Sequence, residues 1–315
     1  MSTSPAKAAL LHAVSRGGAP LVSVASAVHK RLEARLNGTP LQPLARQSRE
    51  LAQAAHRRWR QLAYDEVPFR CNICGRQNIV PVERFDREVA SCVDCGSTVR
   101  WRSIISALSN ELFGHSLALP DFPLRPDLHG LGMSDAHCYA IRLVDKLGYV
   151  NTFYDTPPQF DVMNPAADQL GRYDFVISSD VFEHVPPPAQ RAFENARRIL
   201  KPGGVFIFSV PYKLDGDTDE HFPELHDFQL LPEGDHGKTL LRNRTKDGRL
   251  QEFRDLVFHG GPGFTLEMRH FSLNGIRDCI ERAGFSGLSI CDEDDPPFGV
   301  YWRNTTWSRI IVARN

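Results

Sequence analysis

The chain has 315 residues, 42% hydrophobic and 24% charged, with a formal net charge of −1. That composition excludes collagen-like, coiled-coil and wholly disordered classes. No stretch approaches the roughly 20 apolar residues that cross a bilayer, so no membrane span is expected. At this length two domains, or one large domain with an appendage, are expected. Residues 1–107 hold 16 Lys and Arg against 8 Asp and Glu, a balance of +8, which leaves −9 for 108–315. A basic front third either docks an anionic partner such as RNA or forms a solvated face beside an acidic domain.

In chain order, residues 1–40 are small and turn-rich (Arg16-Gly-Gly-Ala-Pro20, Asn37-Gly-Thr-Pro40), with no apolar core of signal-peptide length. Leu44, Leu51, Ala55, Trp59 and Leu62 recur at helical spacing with a basic outer face. A leader and basic helical arm are therefore expected over 1–66. Seven cysteines follow along the chain, four of them in the pairs Cys71-Asn-Ile-Cys74 and Cys92-Val-Asp-Cys95, separated by 17 residues. Each pair is followed by a glycine, Gly75 and Gly96. Two residues between cysteines let both sulfurs face one ion, and four thiolates close a tetrahedron around Zn²⁺ with no open position. The expectation is a structural zinc ribbon held by Cys71, Cys74, Cys92 and Cys95 in a reducing, cytoplasmic setting. With a connecting helix over about 100–113, it occupies 67–118.

A Pro-rich segment at 119–127 marks the expected boundary. Beyond it the pattern alternates. Apolar segments at 128–133, 149–154, 173–178 and 204–210 read as strands, and 136–147 and 189–200 as helices. A further helix over 272–283 ends at Gly284, and 307–313 reads as a last strand. This rhythm predicts an α/β fold over 119–315, a Rossmann-like, mostly parallel sheet with helices on both faces. An insertion at about 212–265 is expected to act as a lid.

The segments Tyr173-Asp-Phe-Val, Asp180-Val-Phe-Glu-His-Val and Arg198-Ile-Leu-Lys-Pro-Gly-Gly, then the strand ending Ser209-Val-Pro211, resemble class I S-adenosylmethionine-dependent methyltransferases. The chain also looks like a bacterial subgroup of these enzymes with an N-terminal zinc ribbon. The shared features are Gly-Met-Ser-Asp135, Asn151-Thr-Phe-Tyr154, His221-Phe-Pro223, His259-Gly-Gly-Pro-Gly263 with Leu266-Glu-Met-Arg269, and Trp302. The resemblance covers about residues 70–313.

The resemblance implies an S-adenosylmethionine site at the carboxyl end of the sheet. Leu128-His-Gly-Leu-Gly-Met-Ser-Asp135 departs from the family's Gly-x-Gly-x-Gly turn. Gly130 and Gly132 stand where close backbone approach is needed, and Ser134 and Asp135 where the helix is capped and the ligand's ammonium is met. Asp155, with Asn151 as substitute, falls where the family's ribose acid lies. Asp161 falls near the adenine, and Ser179, Asp180 and His184 in the turn that shapes the pocket.

Methyl transfer needs chiefly placement, with a base when the acceptor is a hydroxyl. His221 is the candidate catalytic base, with His226 and His259 as rivals, and Arg269 is expected to pair locally with Glu267. The expected activity is methyl transfer to oxygen on a small-molecule or glycan acceptor. The alternatives are an RNA or protein methyltransferase docking through the basic ribbon, and a binding module that keeps the fold without turnover.

Overall fold

A computed structural model describes residues 66–233, 238–259, 265–302 and 307–315. The leader and helical arm expected over 1–66 lie outside the described residues, apart from Glu66, as does 260–264 of the glycine-rich loop. Pro68–Asn315 form one compact unit. Ribbon and sheet therefore share a single body, and the segment at 119–127 is a connection within it. Leu119 and Phe122 are buried there, and the Leu119 amide donates to the Asn72 carbonyl.

The elements in chain order are β1 (Glu66–Arg70), β2 (Gln77–Pro81), α1 (Val99–Phe113), β3 (Arg125–Met133), α2 (His137–Val144), β4 (Leu147–Thr152), β5 (Tyr173–Ser179), α3 (Gln190–Ile199) and β6 (Leu200–Ser209). The insertion contributes β7 (Tyr212–Lys213), β8 (Asp219–Glu220), β9 (Asp227–Glu233), β10 (Lys238–Arg244), β11 (Leu250–Phe253), β12 (Phe258–His259) and β13 (Thr265–Leu266). The chain closes with β14 (Arg269–Ser272), α4 (Leu273–Ala283), β15 (Gly287–Ile290) and β16 (Ile311–Arg314).

The central sheet has six strands in the order β15-β16-β6-β5-β3-β4. β4, β3, β5 and β6 are parallel, and β16 runs antiparallel to both of its neighbours. Period-two alternation sorts the side chains. Leu131, Met133, Val176, Phe206 and Phe208 join one core with Ala192, Phe193, Ile199, Ile276 and Ile280 of α3 and α4. The alternate residues Phe175, Ile177 and Ile207 are equally buried on the opposite face, and α1 lies against β6. α4 starts on the Ser272 side chain, which accepts from the Gly275 amide, and stops at left-handed Gly284.

The insertion is a separate antiparallel meander, β11-β10-β9, closed over a small core of Phe222, Leu241, Leu266 and Met268. Its ends are stitched to the main sheet's loops. β14 pairs with β7 and β8, and the Met268 amide donates to the Glu183 carbonyl. Among the described residues no helix is long and apolar enough to cross a membrane.

Candidate active site and metal centre

The sheet's switch point lies between β3 and β5, because the chain leaves β3 for β4 on one side and returns to β5 on the other. Open α/β sheets bind ligands at that crevice, beyond the strands' carboxyl ends. Non-glycine residues with left-handed backbone stand on both sides of it: Ser134 (φ 56°) after β3 and Asp180 (φ 54°) after β5. Such conformations cost on the order of 1–3 kcal/mol each and gather where a site fixes them.

Asp135 is buried. Its Oδ2 accepts from the Tyr149 hydroxyl at 2.6 Å, and its backbone exchanges two hydrogen bonds with the Asn151 side chain at 2.9 and 3.0 Å. Asn151 thus uses both ends of its side-chain amide to clamp the loop. Asp135 Oδ1 is buried with no cation on it, and the buried Tyr139 hydroxyl is a polar neighbour of the carboxyl. Burial pushes this carboxyl up to about 7, against the Tyr149 and Tyr139 hydroxyls and the Arg100 charge. Ser134 is exposed, and neither residue caps α2, whose N-cap is Ala136 with no side-chain bond. Both glycines lie inside β3 and make room for side chains. A Cβ on Gly130 would sit 2.1 Å from the Phe175 ring, and one on Gly132 would sit 2.0 Å from the Tyr149 hydroxyl and 2.3 Å from Asp135 Oδ2. Gly132→Ala is therefore expected to break the Tyr149–Asp135 bond and cost about 2–3 kcal/mol in a urea melt.

The Asp135 carboxyl sets a pH dependence. Its folded value of about 7 lies above the ordinary 3.8, so the native state holds the proton more tightly. The contribution is complete below about pH 4, falls through the interval, and is gone above about pH 7, amounting to at most about 4 kcal/mol. Asp135→Asn keeps an acceptor for Tyr149 and carries no charge. Thermal melts at pH 8 should find this variant more stable than the parent, with the difference vanishing by pH 4.

Asp155 is exposed beyond β4. Both oxygens of Asp161 are engaged in its own turn, by the Met163 amide and the Asn164 side chain at 2.8 Å each, so that carboxylate serves the turn. Ser179 and Asp180 hold a different surprise. Asp180 Oδ1 accepts from Arg87 Nη2 at 2.7 Å and from the Ser209 hydroxyl at 2.8 Å, and Arg100 Nη1 stands 3.3 Å from Oδ2. Arg100 also donates to Ser179 Oγ. Burial alone would raise the Asp180 carboxyl, but the two guanidinium charges hold it below its ordinary range. Arg87, 5% exposed, further donates to the Ser308 carbonyl at 2.9 Å, and its guanidinium lies 5.7 Å from the centre of the Trp307 ring. The sequence reading missed both arginines, whose only sequence signal is their place in the ribbon and at its helix.

A second group forms around the turn after β5, Phe182–His184. Glu183 is fully buried, and neither carboxylate oxygen has a hydrogen-bond partner. Its burial, with Asp180 nearby, raises its carboxyl well above the ordinary range. His184 Nδ1 donates to the Leu266 carbonyl at 2.9 Å, and burial lowers its imidazole's affinity for a proton. Glu267 bridges His221 Nε2 at 2.8 Å and His259 Nε2 at 2.9 Å. Arg269 does not pair with Glu267. It is fully buried and donates to Glu220 at 2.7 Å and to the Phe182 and Val185 carbonyls at 2.8 Å. His226 instead docks through its amide to Asn243. His221 also lines an open cavity of about 410 Å³ with Phe222, Glu252, Phe253, Arg254, Asp255 and Val257.

In the ribbon, the four sulfurs of Cys71, Cys74, Cys92 and Cys95 converge within reach of one ion, and none forms a disulfide. Cys71 and Cys95 are 3.7 Å apart, and Cys74 and Cys92 3.6 Å. A Zn–S bond of ~2.3 Å sets a tetrahedral edge of ~3.8 Å, so the spacing fits. Without a cation the cluster cannot ionise fully: burial, then the neighbouring sulfurs, push the Cys74 thiol up to about 12. Gly75 (φ 80°) and Gly96 (φ 69°) give the left-handed turns that return each loop's amide to Cys71 and Cys92.

Residues 130–290 match a methyltransferase domain family. No curated protein matches the chain. Among solved structures the chain is similar to a 1,6-didemethyltoxoflavin-N1-methyltransferase of Burkholderia thailandensis, at 14% identity, covering 68% of this chain and 78% of that one with a TM-score of 0.36. It is also similar to CalS10, an amino pentose methyltransferase of Micromonospora echinaspora, at 12% identity, covering 70% and 92% with a TM-score of 0.37. The family match spans the switch point, both strained turns, the insertion and α4, and by it the chain belongs to the methyltransferase domain family.

Proposed function

We propose that the chain transfers the methyl group of S-adenosylmethionine to an oxygen of a small-molecule or glycan acceptor, and that Cys71, Cys74, Cys92 and Cys95 hold a structural zinc ion. The observation that carries the donor reading is the Asp135 carboxyl, buried at the switch point among tyrosine hydroxyls and with no cation on it, where the donor's ammonium would supply one. Exposed Ser134 and Asp155 flank the same edge. When bound, this donor supplies an electrophilic methyl on a sulfonium with a neutral thioether as leaving group.

The chain's own work is placement and proton handling. The His221 Nε2–H donates to Glu267, which leaves Nδ1 as the basic atom. Glu267 fixes the tautomer and steadies the imidazolium as the acceptor hydroxyl gives up its proton. The neighbouring cavity supports an acceptor of small-molecule or sugar size.

Among the described residues, the ribbon gives the RNA alternative little support. Arg87, Arg100 and Arg102 of the basic third are turned onto internal partners, and Arg70 pairs with Asp121, so these cations do not offer themselves to phosphates. The test is an acceptor screen with methyl-labelled donor over hydroxylated small molecules and glycans, with RNA in parallel. The expected result is a labelled ether product. His221→Gln should lower kcat by roughly 100-fold or more with little change in donor affinity. Label on nitrogen or on RNA, or an undiminished His221→Gln rate, overturns this reading.

A further inference from the structure

The buried Glu183 carboxylate has no donor, and two imidazoles present it with lone pairs. The Leu266 carbonyl can only accept, so His184 Nδ1 carries the proton and Nε2 is bare; that Nε2 stands 3.7 Å from Glu183 Oε1. His259 Nε2 faces the Glu267 carboxylate at 2.9 Å, which leaves its Nδ1 bare, 3.9 Å from the same Glu183 oxygen. Both separations exceed a hydrogen bond. One ligand atom from each of Glu183, His184 and His259 lies within 4.8 Å of the others. Three ligand atoms thus converge on a buried carboxyl with no hydrogen bond among them, an arrangement that a shared cation, a metal ion or a proton on Glu183, makes favourable.

The surroundings fit a metal centre too. Ligating histidines ordinarily donate their other N–H to a carbonyl or carboxylate, which orients the ring and raises its basicity. Here the Leu266 carbonyl does this for His184 and Glu267 for His259. The two rings stand edge to face at 87°, with centroids 4.7 Å apart. The backbone is pinned from both sides: the Met268 amide donates to the Glu183 carbonyl, and Arg269 holds the Phe182 and Val185 carbonyls.

We propose that Glu183, His184 and His259 bind a divalent transition-metal ion, distinct from the ribbon's zinc, that takes an oxygen of the acceptor. Two imidazoles and one carboxylate suit Mn²⁺, Fe²⁺, Co²⁺ or Zn²⁺ and leave coordination positions open. Glu267 accepts from both His259 and His221, so one carboxylate orients a proposed ligand and the residue proposed to take the acceptor's proton. The acceptor role rests on the oxygen-methylation reading; the metal site does not. In the reaction, the acceptor O–H proton passes to His221 Nδ1. The O–C bond to the methyl forms as the C–S bond breaks, and its electron pair stays on sulfur, giving the neutral thioether.

The test uses the zinc-loaded chain, whose cysteine cluster is already filled and whose thiolates poorly suit Mn²⁺. Mn²⁺ is titrated in and read by loss of the free-ion electron paramagnetic resonance signal, with Co²⁺ followed in parallel by its visible absorption. One bound ion per chain is expected. Binding should weaken by at least tenfold in Glu183→Gln and in His259→Ala, each checked for folding by circular dichroism. His259 is 36% exposed at its side chain, so that variant should fold even if Glu183→Gln does not. If the parent binds neither ion, or His259→Ala binds them as well as the parent, the site is overturned. S-adenosylmethionine is titrated into the same samples. Donor binding without metal binding removes the metal site alone, and metal binding without donor binding removes the methyl-transfer reading alone.

Discussion

Cys71→Ser, or chelation of the zinc proposed for the ribbon, is expected to unfold the ribbon and to disorder the carboxyl edge of the main sheet with it. The first effect follows from size. β1 and β2 are five residues each, too little to hold the 66–98 segment without the ion, whose ligation is worth on the order of 10 kcal/mol in such small units. The second follows from where the ribbon's chain goes. Between β2 and α1 it carries Arg87 into the crevice beside Asp180, and Arg100 opens α1 against Ser179 and Asp180. Loss of the ribbon removes both counter-charges from half-buried Asp180 and opens the turn after β5 to water, which is destabilising. Hydrogen exchange should therefore report loss of protection at 71–98 and also at 178–181 and 209. Exchange confined to the ribbon would show that the two are energetically separate.

Arg102→Met is the second large effect. Arg102 is fully buried on α1, with Nε and Nη2 donating to the Gly299 carbonyl at 3.1 and 2.8 Å. Nη1 donates to the Ser97 carbonyl and Nη2 to the Ser91 hydroxyl, at 2.8 and 2.7 Å, and the guanidinium lies 4.7 Å from the centre of the Phe69 ring. One side chain thus joins the second cysteine loop, the first ribbon strand and the segment after β15. Methionine fills the volume but leaves those acceptors unpaired, so a loss of about 3–5 kcal/mol is expected in a urea melt. Arg102→Lys should recover only part of it, because an ammonium cannot reproduce the planar fork. A loss under about 1 kcal/mol would show that water replaces the guanidinium.

The parts legible in the sequence were those with short-range signals. The apolar runs at 173–178 and 204–210 and the capped helix ending at Gly284 all formed, because the strands had two faces to bury and the helix one. The cysteine spacing placed four sulfurs on one point. What stayed hidden was set by distant partners. Nothing local marks Arg87 as the partner of Asp180, 93 residues away. Gly130 and Gly132 read as a ligand turn, yet serve Phe175 and Tyr149 on neighbouring strands. The pairing of Glu267 with His221 and His259 depends on β12 folding back onto β13, which alternation alone does not specify. The short β15 had too few apolar residues to show before its pairing with β16 was known.

The most direct measurement is calorimetric titration of the zinc-loaded chain with S-adenosylmethionine at pH 8, where Asp135 is ionised. Saturable one-site binding is expected, weakened at least tenfold by Asp135→Asn although that variant is the more stable protein. A folded, metal-replete chain that takes up no S-adenosylmethionine would contradict it.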